Sequence, residues 1–271
     1  MAGTASPGAC LTTCCVFLMF SLGCSGNTKP KRRSLLSKAA TARNSELHLD
    51  GVGATAKIEV YYEALCPDSI EFIDKSLRVA WEDTELRGRM SLHLIPFGNG
   101  QLIKEDTVSK GYHFWHPGAG YPLVMCQHGS QECLGNKIQA CAIADLEETV
   151  YVPFLMCMMS YGTRAGPELS SYDCGQRLGI DMAKMKDCAS SRRGHELLLG
   201  HGQRSLDPQL GRKYVPFIMV DGRHSDAAEK GDFIGALCGA LGAPKPAACS
   251  KVSAQGSNGT KKGHGGSGPC L

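Results

Sequence analysis

A short strand that leads directly into a cysteine at the start of a helix constrains this chain more than any other feature. Residues 57–63 alternate apolar and polar side chains with the period of two that is typical of a β-strand. Cys66 and Pro67 follow, and the fixed φ of proline suits the first turn of a helix. Residues 69–87 carry apolar side chains at helical spacing, and residues 90–97 alternate again. This order predicts a βαβ unit with parallel strands and a right-handed crossover.

The rest of the chain predicts that a long helical segment interrupts this unit. Residues 98–211 are rich in cysteine and in helical periods, whereas residues 212–242 return to a strand, a tight Asp221-Gly222 turn and a final helix. We therefore predict an α/β chain that resembles the thioredoxin-like fold. Its first part is residues 57–97, its second part is residues 212–242, and a disulfide-rich helical insertion separates the two.

The two ends of the chain are predicted to lie outside this fold. Residues 1–26 contain an apolar run that is too short to span a bilayer and is followed by small residues, which is typical of a cleaved secretory signal. A membrane anchor or a buried strand is the alternative. Residues 27–56 are polar, basic and aperiodic, as in a disordered leader or propeptide. Residues 243–271 are rich in glycine, serine and lysine, as in a flexible tail, and contain a glycosylation sequon at Asn258.

The distribution of charge argues against one broad class of partner. The formal net charge is +3, from 29 basic and 26 acidic residues. The six charged residues before position 46 are all basic, so without them 23 basic residues face 26 acidic ones. A mildly acidic body has no surplus of cations to follow a phosphate backbone, so we predict no nucleic-acid partner. No later stretch is apolar enough to span a bilayer, so we also predict no stable membrane insertion.

The chain contains 14 cysteines, far more than a cytosolic protein usually carries. This number indicates an oxidising compartment. Four of the cysteines lie in the predicted signal, and ten remain after its removal. Eight of these fall in the body and can form four disulfides, in more arrangements than the sequence can distinguish. They are Cys126, Cys133, Cys141, Cys157, Cys174, Cys188, Cys238 and Cys249. The two left over are Cys66 and Cys270.

Cys66 is the candidate catalytic nucleophile. A thiolate is the nucleophile in disulfide exchange, and the unpaired N–H groups at a helix start stabilise it. Asp68 acts in the opposite direction, because a nearby carboxylate repels a thiolate. Ser69 stands where a C-x-x-C redox site has its second cysteine, and its hydroxyl can donate a hydrogen bond to the thiolate but cannot attack a mixed disulfide. A structural half-cystine that happens to precede a proline is the alternative.

Pro216 is the second element of the predicted site. Thioredoxin-like folds carry a cis-proline at the start of a strand, where it lies against the redox cysteine. The residue before it, here Val215, offers backbone hydrogen bonds to the substrate. We therefore assign Pro67, Val215 and Pro216 to substrate binding. A zinc site around Cys126, Cys133 and the neighbouring histidines is the other candidate centre, but the spacing fits no common zinc finger, so we predict no metal.

The segment from Cys126 to Cys141 carries a resemblance to a known family. It matches the pattern C-Q-H-G-x-x-E-C-x-x-N-x-x-x-x-C of the gamma-interferon-inducible lysosomal thiol reductase family. All eight fixed positions agree, namely Cys126, Gln127, His128, Gly129, Glu132, Cys133, Asn136 and Cys141. Residues 61–67 and residues 214–216 are similar to the family's strand before the redox site and to its Y-V-P segment. The resemblance implies a soluble reductase of protein disulfides that works in endosomes and lysosomes at acid pH, with Cys66 as the attacking cysteine.

The same resemblance supplies no second cysteine, because Ser69 occupies that position. Release of the product must then come from an external thiol, from a thiol of the substrate or from another cysteine of this chain. Cys270 is a candidate remote thiol, and the alternatives for it are a disulfide-linked dimer or an inert, capped cysteine.

We predict a thiol-disulfide oxidoreductase that acts on protein disulfides in the secretory pathway, either in the lysosome or endosome or after secretion. It would need no cofactor beyond a small-molecule thiol as reductant. The alternative is a catalytically impaired member of the family, a secreted binding protein that captures partners without turnover.

Overall fold

The computed structural model describes residues 54–103, residues 122–255 and Cys270. Within these residues the strands are β1 (Ala56–Tyr62), β2 (Met90–Pro96), β3 (Gln101–Ile103), β4 (Leu123–Met125), β5 (Phe217–Val220) and β6 (Arg223–His224). The helices are α1 (Pro67–Glu71), α2 (Arg78–Glu82), α3 (Thr84–Arg87), α4 (Ser130–Asp145), α5 (Glu148–Ser160), α6 (Pro167–Leu178), α7 (Met182–Ser190), α8 (Arg192–Ser205), α9 (Asp226–Glu229), α10 (Phe233–Ala240) and α11 (Ala247–Gln255). A π-helical segment, Phe72–Leu77, joins α1 to α2.

Four strands form the central sheet in the order β2-β1-β5-β6. β1 and β2 are parallel, with Ala56 opposite Met90 and Tyr62 opposite Pro96, and helices α1 to α3 form the crossover between them. The predicted βαβ unit is therefore confirmed. β5 runs antiparallel to β1, and β6 runs antiparallel to β5. The returning strand thus makes the sheet mixed, and it brings residues near position 216 next to the end of β1.

The predicted turn after β5 is also confirmed. Asp221 and Gly222 both have positive φ angles, 48° and 73°, and they connect β5 to β6. Two positive φ angles in a two-residue turn match the twist of a hairpin, and Asp and Gly tolerate them better than other residues do. The Asp221 side chain also accepts a hydrogen bond of 2.8 Å from the backbone N–H of Lys57, which fastens the turn to the start of β1.

The main core lies on one face of β1. Ile58, Val60 and Tyr62 are fully buried, and side chains of the crossover helix and of α5 and α10 pack against them. Each large apolar side chain that is fully buried contributes about 1.5 to 3 kcal/mol to stability. The hydroxyl of Tyr62 keeps a hydrogen-bond partner in this core, since it donates to Oε1 of Gln139 at 2.7 Å. This packing fixes the end of β1, where the cysteine follows.

The insertion differs from the prediction at its start. Residues 98–211 were predicted to be helical, but β3 and β4 form a two-stranded antiparallel sheet before α4 begins. Strands of three residues are too short to give a recognisable alternation in the sequence. The helical prediction holds from Ser130 to Ser205, where α4 to α8 pack beside the sheet.

The predicted start of the tail at residue 243 is wrong. The chain continues into α11, and the disulfide between Cys238 and Cys249 ties this helix to α10. The guanidinium of Arg89 also donates to the carbonyls of Gly242 and Pro244, at 3.0 Å and 2.8 Å. The composition of glycine, serine and lysine suggested a tail because it contains no sign of these long-range ties.

Several predictions concern residues outside the described ranges. The signal at residues 1–26, most of the leader at residues 27–56 and the sequon at Asn258 belong to this group. The last residue of the predicted leader, Ala56, is described and is the first residue of β1. Among the helices of the described ranges, none has the length and the hydropathy that crossing a membrane requires.

Candidate active site

Cys66 lies directly before the first turn of α1, as the sequence predicted. Its backbone is extended, with φ −67° and ψ 121°, and Pro67 is the first helical residue. The backbone N–H of Ser69 points to the sulfur at 3.5 Å. An N–H group at a helix start stabilises negative charge, so this position favours the thiolate when the sulfur is free. The cysteine side chain is fully buried.

The Val215–Pro216 peptide bond is cis, and it lies against Cys66. The carbonyl oxygen of Val215 is 3.8 Å from the sulfur of Cys66. The two residues are 149 positions apart in the sequence, and the pairing of β5 with β1 brings them together. The structure thus assembles the cysteine and the cis-proline that the sequence singled out separately.

Cys270 is bonded to Cys66 in a disulfide. Their Cα atoms are 6.3 Å apart although 204 positions separate them in the sequence. The backbone N–H of Val215 donates to the carbonyl oxygen of Cys270 at 3.2 Å, and the two residues form an isolated antiparallel bridge. Of the alternatives left open for Cys270, the structure therefore contains a bond to the candidate nucleophile of the same chain.

Ser69 is buried and makes a contact that the sequence did not indicate. Its hydroxyl accepts a hydrogen bond of 3.4 Å from the backbone N–H of Glu63. The sequence suggested that this hydroxyl would donate to the sulfur of Cys66, whereas here the sulfur receives the backbone N–H of Ser69 instead. Ser69 thus fastens the start of α1 to the residue that follows β1.

The eight cysteines of the body pair among themselves. The disulfides are Cys126–Cys133, Cys141–Cys188, Cys157–Cys174 and Cys238–Cys249. Two of them cross-link helices of the insertion, α4 to α7 and α5 to α6. Because Cys126 and Cys133 are bonded to each other, their sulfurs are not available as thiolate ligands for the zinc site considered above.

A buried acidic cluster beside Cys66 was missed by the sequence interpretation. Glu63 and Glu132 are both fully buried, and Nδ1 of His128 lies 2.6 Å from Glu132 Oε2 and 3.5 Å from Glu63 Oε2. Burial, and after it the charge of Glu132, raises the pKa of Glu63 to about 8. Glu63 therefore holds a proton at acid and neutral pH. Glu132 and His128 are fixed positions of the recognised family pattern, and this is the sequence feature that could have indicated the cluster.

Two groups of side chains have the composition of a possible metal site. In each group, every residue places one potential metal-ligand atom within 4.8 Å of the others. The groups are Glu63, His128 and Glu132, and His224, Asp226 and Glu229. Hydrogen bonds account for the first set, since Glu132 also accepts from the backbone N–H of His128 at 3.0 Å. In the second set, Nε2 of His224 lies 2.7 Å from Glu229 Oε1. The absence of a metal stays a prediction from the sequence.

Asn136, another residue of the recognised pattern, positions the segment that precedes the cysteine. Its Oδ1 accepts a hydrogen bond of 2.9 Å from the backbone N–H of Ala64. A fully buried side-chain oxygen that binds a backbone N–H in this way fixes the path of the chain between β1 and α1. The pattern therefore contributes to the geometry of the site although it lies some seventy positions away.

Asn99 and Arg212 complete the site, and no sequence motif indicated either of them. Nη1 of Arg212 donates to Oδ1 of Asn99 at 2.6 Å, and Nη2 donates to the carbonyl of Gly98 at 2.6 Å. The backbone N–H of Asn99 donates to Oε1 of Glu63 at 2.6 Å. The side-chain amide of Asn99 donates in turn to the carbonyl oxygen of Cys270 at 2.9 Å.

A thioredoxin-like domain with a disulfide-bonded cysteine at a helix start, packed against a cis-proline, defines the class of thiol-disulfide oxidoreductases. The family model described as Gamma interferon inducible lysosomal thiol reductase (GILT) matches residues 57–178. The chain is also 31% identical, over 214 residues, to the "Gamma-interferon-inducible lysosomal thiol reductase-like protein" of Anopheles gambiae, and the match covers 74% of this chain and 82% of that relative. The chain belongs to this family.

The chain is also similar to other proteins. The "Gamma-interferon-inducible lysosomal thiol reductase" of Carassius auratus is 28% identical over 198 residues, which cover 71% of each chain. Among solved structures, oxidised BdbD from Bacillus subtilis is similar over 66% of this chain and 83% of its own, with 11% identity and a TM-score of 0.46.

Proposed function

We propose that this chain reduces disulfides of protein substrates through Cys66, and that Cys270 supplies the second thiol that Ser69 cannot. The observation that supports this proposal is the disulfide between Cys66 and Cys270, formed against the cis-proline. In a C-x-x-C site the second cysteine lies one helical turn from the first. Here the same chemical function would come from the far end of the chain.

The first step begins from the reduced protein. The Cys66 thiolate attacks one sulfur of a substrate disulfide, so that the substrate S–S bond breaks and a mixed disulfide forms between the substrate and Cys66. The other substrate sulfur leaves as a thiolate and takes a proton from solvent. The helix start, the N–H of Ser69 and the surface formed by Pro67, Val215 and Pro216 belong to this step.

In the second step the Cys270 thiolate attacks the sulfur of Cys66. The mixed disulfide breaks, the bond between Cys66 and Cys270 forms, and the second substrate sulfur leaves as a thiol. Two electrons have then passed from the protein to the substrate. Two equivalents of a small-molecule thiol return the protein to its dithiol form and leave as their own disulfide, so the cycle needs no bound cofactor.

The compartment follows from the same proposal. The 14 cysteines of the chain and the lysosomal name of the family favour the secretory pathway, with the lysosome, the endosome or the exterior as the destination. The raised pKa of Glu63 is compatible with work at acid pH. A dimer through Cys270 would require the bond to Cys66 to be open.

Reduction of insulin at mildly acid pH tests the proposal. The wild-type protein should reduce insulin in the presence of a small thiol, and Cys66→Ser should not. Without the small thiol, Cys270→Ser should stop at a mixed disulfide with the substrate, and addition of the thiol should release it. The double variant of Cys238→Ser with Cys249→Ser is a matched control, because it removes a disulfide outside the site and should retain both steps.

Two results would contradict the proposal. Equal insulin reduction by the wild type and Cys66→Ser would exclude Cys66 as the nucleophile. A wild-type protein that stays bound to its substrate even with excess small thiol would instead support the binding protein without turnover.

A further inference from the structure

Cys270 is held at the site by its backbone as well as by its sulfur. Its carbonyl oxygen accepts two hydrogen bonds, one from the backbone N–H of Val215 at 3.2 Å and one from Nδ2 of Asn99 at 2.9 Å. Cys270 is also 92% buried, since only 8% of its surface is exposed. Two donors thus converge on a single carbonyl directly beside the reactive sulfur of Cys66.

A substrate cysteine joined to Cys66 has the same atoms as Cys270 between its sulfur and its carbonyl. The covalent geometry therefore allows the substrate carbonyl to reach the same two donors. The backbone of Val215 is already assigned to substrate binding from the fold, and we infer that Asn99 is a further substrate-binding residue. Together with the N–H of Val215 it forms a carbonyl clamp on the backbone of the substrate cysteine attacked by Cys66, and Arg212 is the positioning residue for Asn99. This inference rests on the function proposed above and adds the chemical feature by which the substrate is recognised.

The orientation of the Asn99 amide follows from its partners. An arginine has donors only, so the atom that faces Nη1 of Arg212 at 2.6 Å must be the amide oxygen. The amide nitrogen then faces the other way, with one hydrogen on the carbonyl of Cys270 and one on Oε1 of Gln127 at 2.7 Å. The donor is thus aimed at the carbonyl before any substrate arrives.

The supports of Asn99 are largely removed from water. Arg212 lies between the carbonyl of Gly98 and the amide of Asn99, and burial lowers the pKa of its guanidinium. The backbone of Asn99 is held in turn by Glu63, which is fully buried. A donor whose own partners are fixed in this way loses little conformational freedom when it binds a ligand, which makes it effective for recognition.

The carbonyl clamp has two consequences. The tail and the substrate compete for the same donors, so formation of the bond between Cys66 and Cys270 displaces the reduced product from the site. The clamp also favours a cysteine within a polypeptide over a small disulfide that has no carbonyl at that place. Asn99 therefore contributes selection by main-chain atoms, which is independent of the side chains next to the substrate cysteine.

Single-turnover reactions of the reduced, full-length protein test this inference. The rate constant for a disulfide-containing peptide is divided by that for 2,2'-dithiodipyridine, an aromatic disulfide that has no peptide carbonyl and carries no charge. Asn99→Asp keeps an acceptor for Arg212 but replaces the donor by a second oxygen. We expect the ratio to fall about two- to tenfold, the effect of losing one hydrogen bond. Any change in the reactivity of Cys66 itself affects both rate constants and cancels.

Two further variants separate the clamp from a general disturbance. Arg193→Lys makes an arginine-to-lysine change outside the site, where Arg193 pairs with Asp145, and should leave the ratio unchanged. Arg212→Lys retains the charge, but a single ammonium group cannot replace the two guanidinium nitrogens that bind Asn99 and Gly98. The ratio of rate constants should therefore fall, as it does in Asn99→Asp.

A second readout does not depend on substrate. The fraction of the Cys66–Cys270 disulfide is measured at equilibrium with mixtures of oxidised and reduced dithiothreitol. Asn99→Asp should open the disulfide at about two- to tenfold lower reductant excess than the wild type, since the tail carbonyl loses the same hydrogen bond. Asn99→Asp values equal to wild type in both readouts would overturn the clamp even if the wild type reduces peptides. A wild type without Cys66-dependent reaction would instead overturn the proposed function.

Discussion

At the scale of single residues, the site depends on a carboxyl group that is protonated. Glu63 is fully buried next to Glu132, and its Oε1 accepts the backbone N–H of Asn99. Burial raises the pKa of Glu63, and repulsion by the nearby carboxylate of Glu132 raises it further, so Glu63 keeps its proton. This residue connects the end of β1 to the carbonyl clamp, because the loop that carries Asn99 is held by it.

The raised pKa of Glu63 predicts a dependence of stability on pH. Its pKa is about 8 in the folded chain and 4.5 for the unperturbed group, so between these values the folded state keeps a proton that the unfolded state has lost. The free energy of unfolding therefore falls as pH rises through this window, by at most about 1.4 kcal/mol per pH unit. Glu63→Gln lacks this contribution and should gain stability relative to the wild type from acid to alkaline pH.

The wild type must be compared with Glu63→Gln because other titratable groups change the free energy of unfolding with pH in the opposite direction. Burial lowers the pKa of His201 to about 4, so its contribution to stability is lost as pH falls below its usual value of 6.5. Chemical denaturation of both proteins across this pH range cancels the contribution of His201. Unfolding free energies that run parallel for the wild type and Glu63→Gln would contradict the assignment of Glu63.

Ser69 provides the second prediction at this scale. Its backbone N–H lies 3.5 Å from the sulfur of Cys66, so we expect a thiol at position 69 to reach the mixed disulfide once its side chain turns away from the N–H of Glu63. The double variant of Ser69→Cys with Cys270→Ser should therefore regain the product release that Cys270→Ser alone has lost, in the absence of a small thiol. Insulin reduction measures this. A double variant that stays in the mixed disulfide would show that the site cannot use a local second thiol.

At the scale of elements, the sequence predicted what depends on local periodicity. β1, the helix after Cys66, β2 and the Asp221-Gly222 turn follow from alternation, helical spacing and turn chemistry. The two-stranded sheet of β3 and β4 and the helix α11 were not predicted, because short strands carry little periodic signal and α11 is held by a disulfide.

The same distinction holds for the active site. Cys66 and Pro216 were found because each has a recognisable neighbour in the sequence. Asn99 and Arg212 were not, because their roles arise from contacts over more than a hundred positions with each other and with Cys270.

The disulfide between Cys238 and Cys249 gives a prediction for α10 and α11. It closes a short loop. A cross-link of this length reduces the conformational entropy of the unfolded chain and so stabilises the folded state by roughly 2 to 3 kcal/mol. Replacing both cysteines by serine should lower the free energy of unfolding by about that amount. Denaturant titration measures the loss. A loss of activity that is larger for this variant than for Cys270→Ser would indicate that α11 has a direct part in the reaction.

At the scale of the whole molecule, one long-range disulfide connects Cys66 to a residue far away in the sequence. Within the described residues four disulfides cross-link the body of the chain, and a fifth joins the candidate nucleophile Cys66 to Cys270 across 204 positions. The cysteine count in the sequence indicated that Cys66 and Cys270 remain once the eight cysteines of the body are paired. It could not choose between a bond within the chain, a dimer and an unreacted thiol, because that choice depends on where the tail lies.

Mass mapping after a single turnover tests the central claim most directly. The protein, reduced only at the bond between Cys66 and Cys270 and with its four other disulfides intact, is mixed with one equivalent of a protein disulfide, quenched by alkylation and digested without reduction. We expect a peptide that joins Cys66 to Cys270, together with two alkylated thiols on each reduced substrate. An alkylated Cys270 beside substrate still bonded to Cys66 would contradict it.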